Sequence, residues 1–156
     1  MNFVDVNLLV YAYRTEMDHH SEYREWLDKM RRSNDVLGIP SAVVSGFLRV
    51  ITNPKIFKQA TPIDRAWEFC DAILAGPTNV VVEPGPRHLR IFRDLCLQAK
   101  AGGKLIPDAH LAAMAIEAGA TWYSADGDFG RFVGLDWRHP LDDDPTPTRR
   151  RARGRR

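Results

Sequence analysis

Four short apolar runs punctuate this sequence, with longer stretches of helical periodicity between them. The runs are FVDV (3–6), VLGIP (36–40), NVVVEP (79–84) and TWYSAD (121–126). Strand-like segments alternating with helix-like ones, with few tight hairpin signals, predict an α/β domain on a central parallel sheet. The segment around LDW (135–137) adds a candidate edge strand. Residues 19–33 place Tyr23, Trp26, Leu27 and Met30 at i, i+3, i+4 and i+7, which is one helical face. Helices are also predicted over 7–14, 41–52, 62–75, 86–100 and 107–118. Asn53-Pro54 closes the 41–52 helix, because the residue before proline is pushed out of helical geometry. Gly102-Gly103 and Gly119 close the last two.

At 156 residues the chain suits a single domain with a real core. No apolar run approaches the roughly 18 residues a membrane span needs, and no basic region precedes the first apolar stretch as in a secretory signal. The two cysteines, Cys70 and Cys96, read as free thiols in helical segments, and a cytoplasmic protein is expected. Six of the 22 basic residues fall in the last eight positions, RRRARGRR, which hold no acid. That leaves 16 bases against 20 acids in residues 1–148, a mildly acidic body with a strongly basic tail. The division expected is a domain over 1–141 and a basic, disordered tail over 142–156. Such an arm suits an anionic partner, with nucleic acid foremost.

In a parallel sheet, ligands bind beyond the carboxyl ends of the strands. Asp5 ends the first run, Asp126 ends the fourth, and Asp128 follows two residues later. Asp108 opens the 107–118 helix, and Leu111, Ala115 and Ala118 share its face. One sheet edge can therefore collect four carboxylates. Such a group does not stay anionic uncompensated, since burial and like charge both raise carboxyl pKa values. Mg²⁺ or Mn²⁺ relieves the conflict, because hard cations take oxygen ligands. Phosphodiester hydrolysis is the chemistry such a site suits.

The sequence resembles the PIN-domain ribonucleases, specifically VapC-type toxins of toxin–antitoxin modules. Four stretches carry the resemblance: VDVNLLVYA, FLRVITNP, IPDAHLAAMAIEAGATWYSADGDFGRF and GLDWRHPL. They span most of residues 2–141, and the FLR motif is similar to one branch of VapC-like sequences. The resemblance implies a three-layer α/β/α fold and Mg²⁺- or Mn²⁺-dependent endoribonuclease activity on structured RNA such as tRNA. It also implies a VapB-like antitoxin and a homodimer. By position, Asp5, Asp108 and Asp126 match the metal-binding, catalytic acids, and Asp128 an accessory one. Asn7 matches a polar residue at the start of the first helix, and Ser124 a Ser/Thr position beside the third acid.

One departure matters. The family usually places a glutamate where this chain has Gly46, and no acid occurs between Asp35 and Asp64. A mid-helix glycine costs about 1 kcal/mol relative to alanine, so packing or access should explain it. Arg49, in the same motif, is a candidate for a phosphate contact or a structural ion pair. Arg149, Arg150 and Arg151 of the tail are candidate RNA contacts. His19, His20 and His110 lack metal-ligand spacing and read as surface or capping residues. The DFG at 128–130 has no accompanying kinase motifs, and AGGK at 101–104 is not a P-loop. A catalytically weak, PIN-like RNA-binding regulator is the alternative to a metal-dependent ribonuclease.

Overall fold

Phe3 and Val4 are wholly buried, and the strand they define stops at the next residue. The computed structural model describes residues 1–142. Strand β1 (Asn2–Val4) ends because Asp5 caps helix α1 (Val6–Tyr13): its Oδ1 accepts the Val6 N–H at 2.7 Å. The apolar run expected over 3–6 is therefore split between a strand and a helix, with the carboxylate at the joint. Helix α2 (His20–Arg32) follows, then β2 (Leu37–Pro40), α3 (Ser41–Ile51), α4 (Ile63–Leu74) and β3 (Asn79–Val82). Helices α5 (His88–Ala99) and α6 (Leu105–Ala118) lead to β4 (Thr121–Tyr123), a 3-10 turn (Gly127–Arg131) and β5 (Asp136–Arg138).

The five strands form one parallel sheet in the order β3-β2-β1-β4-β5. Helices cover both faces, giving three layers. On the sheet, α1 packs on α2 and α3, α3 on α4, and α5 on α6. β1 lies between β2 and β4, pairing Phe3 with Gly38 on one side and with Trp122 on the other. Gly38 is required there, since a Cβ would stand 2.3 Å from Phe3 Cε1. The inner strand β2 is buried throughout, whereas β3 at the edge exposes Val80 and Val81. The expected edge strand at LDW is present as β5 and runs parallel to β4.

Helix α6 starts two residues earlier than the sequence suggests, with Pro107 inside its first turn. The first four N–H groups of a helix have no intrahelical partner, so a proline among them costs no bond. Leu111 and Ala115 are buried as expected, while Ala118 is exposed. On α2, Tyr23 and Leu27 are core, and Trp26 lies against Tyr123 with ring centroids 5.1 Å apart. Trp67 on α4 is exposed, beside buried Phe69 and Cys70.

His110 is neither a surface nor a capping residue. It is half-buried between α5 and α6, edge-on to His88 at 4.4 Å, with Phe92 beside both rings. Burial, then the neighbouring His88, lowers its pKa. His20 Nδ1 donates to the Tyr11 carbonyl, and His19 pairs with Glu22. Among the described residues, no helix is long and apolar enough to cross a membrane.

Candidate active site

The strand order reverses direction at β1: the chain moves outward to β2 and β3, then returns to β4 on the other side. A crevice opens at such a switch point, beyond the carboxyl ends of the two central strands. Asp5 follows β1 directly, and Ser124 and Asp126 follow β4. The Asp5 N–H donates to the Tyr123 carbonyl at 3.0 Å, so the two strand ends are tied side by side.

Ser124 is the hub. It is fully buried, and its hydroxyl donates to Asp5 Oδ2 at 2.6 Å. The same oxygen accepts the Asp126 N–H at 3.0 Å and Asn7 Nδ2 at 3.3 Å. A hydroxyl has one proton to give and two lone pairs to fill, so all three bonds are used. The backbone of Ser124 is fixed too. Its N–H donates to the Arg138 carbonyl at 3.2 Å, and its carbonyl accepts Trp137 Nε1 at 3.1 Å. Strand β5 thus holds the hub, and the hub holds Asp5, Asn7 and Asp126. Asn7 Oδ1 is buried without a partner among the described residues.

The acids repel one another. Burial pushes the Asp5 carboxyl up to about 6, against the pull of its bonds to Ser124 and Val6. Asp108 and Asp126 push it the same way as burial. Asp108, in the first turn of α6, is raised by burial first and then by Asp126 and Asp128, while Lys104 and Arg131 offset part of the rise. The four carboxylates expected at one edge therefore lie within electrostatic reach, from β1, β4, α6 and the 3-10 turn. Asp126 Oδ1 accepts the Asp128 N–H at 2.9 Å, and Asp128 Oδ1 accepts Arg131 Nη2 at 3.1 Å.

The donor set is all oxygen and partly buried, and burial first, then like charge, raises the Asp5 and Asp108 carboxyls. That chemistry fits a hard divalent cation. As the side chains stand, no group of three or more His, Cys, Asp or Glu among the described residues forms a closed ligand set. Each bonded carboxylate oxygen keeps a further lone pair for a cation.

Gly46 has a steric reason. A Cβ there would stand 2.8 Å from Val6 Cγ2, on the residue next to Asp5. Glycine lets α3 press against the start of α1, and any side chain at position 46 would require Val6 to give way. Arg49 is exposed and makes no ion pair or hydrogen bond among the described residues. Arg149, Arg150 and Arg151 lie outside the described residues. Sequence reasoning passed over Lys104 and Arg131. Their signals were the i, i+4 spacing of Lys104 to Asp108 and the i, i+3 spacing of Asp128 to Arg131.

Comparison with known proteins agrees with this fold. The PIN-domain family model matches residues 3–135. The chain is 48% identical over 139 residues to a VapC ribonuclease of Mycobacterium bovis and to ribonuclease VapC43 of Mycobacterium tuberculosis. Those alignments cover 89% of this chain and 95% of each relative. Ribonuclease VapC25 of M. tuberculosis is 40% identical, covering 86% and 95%. Among solved structures, VapBC2 of Rickettsia felis bound to a promoter DNA fragment gives a TM-score of 0.67 at 17% identity, covering 88% of this chain and 97% of that one. VapC20 of M. tuberculosis, described as a sarcin-ricin-loop-cleaving toxin, gives 0.61 at 16% identity, covering 86% and 98%. The chain belongs to the PIN-domain family, among the VapC-type proteins.

Proposed function

We propose that this protein is the toxin of a type II toxin–antitoxin pair: a cytoplasmic endoribonuclease that uses Mg²⁺ or Mn²⁺ to hydrolyse phosphodiester bonds in structured RNA such as tRNA. The observation that carries the reading is the convergence of Asp5, Asp108 and Asp126 at the switch point, with Asp5 pushed up to about 6. Asp5, Asp108 and Asp126 would hold the metal. When bound, it polarises a phosphoryl oxygen, lowers the pKa of an attacking water and steadies the leaving oxygen. Ser124 sets the angle of the Asp5 carboxylate, and Asn7 and Asp126 fix the Ser124 hydroxyl in turn. The buried, mutually repelling carboxylates form a site that gains stability by taking up positive charge. A VapB-like antitoxin as partner is supported by the solved VapBC complexes that share the fold. A homodimer remains part of the proposal.

RNA cleavage should require Mg²⁺ or Mn²⁺ and be lost in Asp5→Asn and in Asp108→Asn, measured on labelled tRNA with gel resolution of the products. Cleavage that persists in EDTA, or in both variants, overturns the reading. The absence of a carboxylate at Gly46 favours one further reading, a PIN-like RNA-binding regulator with weak or no catalysis. Protein that binds tRNA and leaves it intact at every metal concentration supports that one.

A further inference from the structure

The acid cluster poses a problem for its own substrate. Asp5, Asp108, Asp126 and Asp128 face a phosphodiester with four negative charges, and one divalent ion cancels only half of them. The fold supplies two more cations close by. Lys104 immediately precedes α6, one helical turn from Asp108, and is exposed. Arg131 ends the 3-10 turn that carries Asp128. Its side chain is 48% exposed and spends one donor on Asp128 Oδ1 at 3.1 Å. The positive charges felt at Asp108 are those of Lys104 and Arg131.

Other arginines are engaged with groups outside the acid cluster. Arg14 lies over the Phe57 ring and donates to Gln59, Thr61 and Glu16. Arg138 pairs with Asp136, and Arg87 donates to the Glu117 carbonyl. Arg131 keeps most of its five donors free among the described residues. An exposed ion pair such as Arg131–Asp128 contributes about 0–1 kcal/mol, whereas a guanidinium meets a phosphate with two parallel, charge-assisted bonds. The Asp128 contact therefore orients Arg131 without using it up.

We propose that Lys104 and Arg131 form a phosphate clamp, gripping the RNA backbone on two sides of the acid cluster, with Asp128 as the positioning residue for Arg131. This rests on the ribonuclease reading for its substrate and extends it to residues outside the acid set. Phosphate contacts position a nucleic acid and carry no sequence information, so the clamp grips any single-stranded stretch.

The test is binding of the full chain to a fluorescein-labelled single-stranded oligoribonucleotide in EDTA, by anisotropy across a NaCl series. Lys104→Ala and Arg131→Ala should each weaken binding and flatten the log–log salt slope by about 0.7, the value for one lost phosphate on a single strand. Arg131→Lys should keep the slope. Asp128→Asn, though it removes a negative charge, should weaken binding. Arg65→Ala on α4, an exposed arginine paired with Glu68, should leave the slope unchanged. Thermal unfolding confirms that each variant is folded.

Unaltered slopes in Lys104→Ala and Arg131→Ala, equal flattening by Arg65→Ala, or no RNA binding by the parent chain in EDTA each overturns the clamp. Metal-dependent cleavage of the same RNA is scored separately. Unaltered slopes with cleavage intact remove the clamp alone. Flattened slopes without cleavage keep the clamp and remove the ribonuclease.

Discussion

Asp5 is held at both oxygens and still sits badly as an anion. Its pKa of about 6 in the folded protein lies above the ordinary aspartate value of 3.8, so the folded state binds the proton more tightly. In EDTA, the stability this proton contributes is fully present below about pH 4 and is lost as pH rises through about 6. A rise from 3.8 to about 6 corresponds to roughly 3 kcal/mol. Urea unfolding at stepped pH should show Asp5→Asn gaining up to that amount at pH 7, less what the amide loses against Ser124, and nothing at pH 4. An identical pH slope in the variant would show that Asp5 is not the source. Ser124→Ala takes away one bond each from Asp5, Asn7 and Asp126 and should cost about 1–3 kcal/mol at pH 7. The acids were legible in the sequence as odd carboxylates beside apolar runs. The hub was not, because Ser124 and Asp5 are 119 residues apart and nothing local marks a hydroxyl with all three bonds filled.

Helices α1 and α3 meet where glycine permits it. The 2.8 Å approach of a Cβ at position 46 to Val6 Cγ2 predicts that Gly46→Ala is destabilising, because overpacking costs about 1–3 kcal/mol and outweighs the propensity gain of about 1 kcal/mol. Adding Val6→Ala should recover the loss, so denaturant unfolding of the two single variants and the double should show coupling between these sites. Strict additivity would mean that the contact is slack. The periodicity of α3 puts Val44, Phe47, Leu48 and Ile51 on one face; Phe47 and Ile51 are buried, but Val43 is buried where Val44 and Leu48 are only half-buried. The reason for its glycine was not readable, since it lies in another helix. Sequence also misjudged the start of α6, where Pro107 read as a boundary and is instead a harmless early residue. Val80 and Val81 read like the other apolar runs, and only the sheet order shows that β3 is an edge.

At the scale of the whole molecule, alternating strands and helices gave away the parallel sheet, and the placement rule for such sheets pointed to the edge where Asp5, Asp108 and Asp126 lie within electrostatic reach. The order β3-β2-β1-β4-β5 was beyond reach, because period and composition say nothing about which strands pair. The basic tail belongs to this scale as well. Deleting residues 149–156 should flatten the salt dependence of RNA binding by about 0.7 for each phosphate those arginines neutralise, measured by the same anisotropy titration, and an unchanged slope would remove the tail from the interface. The central position of β1 has a further consequence during synthesis. Asp5 precedes Ser124 by 119 residues, and the strand that carries Ser124 to it is the fourth of five. Because chains begin to fold as they emerge, the nascent protein has β1 and β2 in hand long before β4 exists. The acid cluster therefore cannot close until β4 has been made, which sets assembly of the site late in synthesis, after β1, β2 and β3.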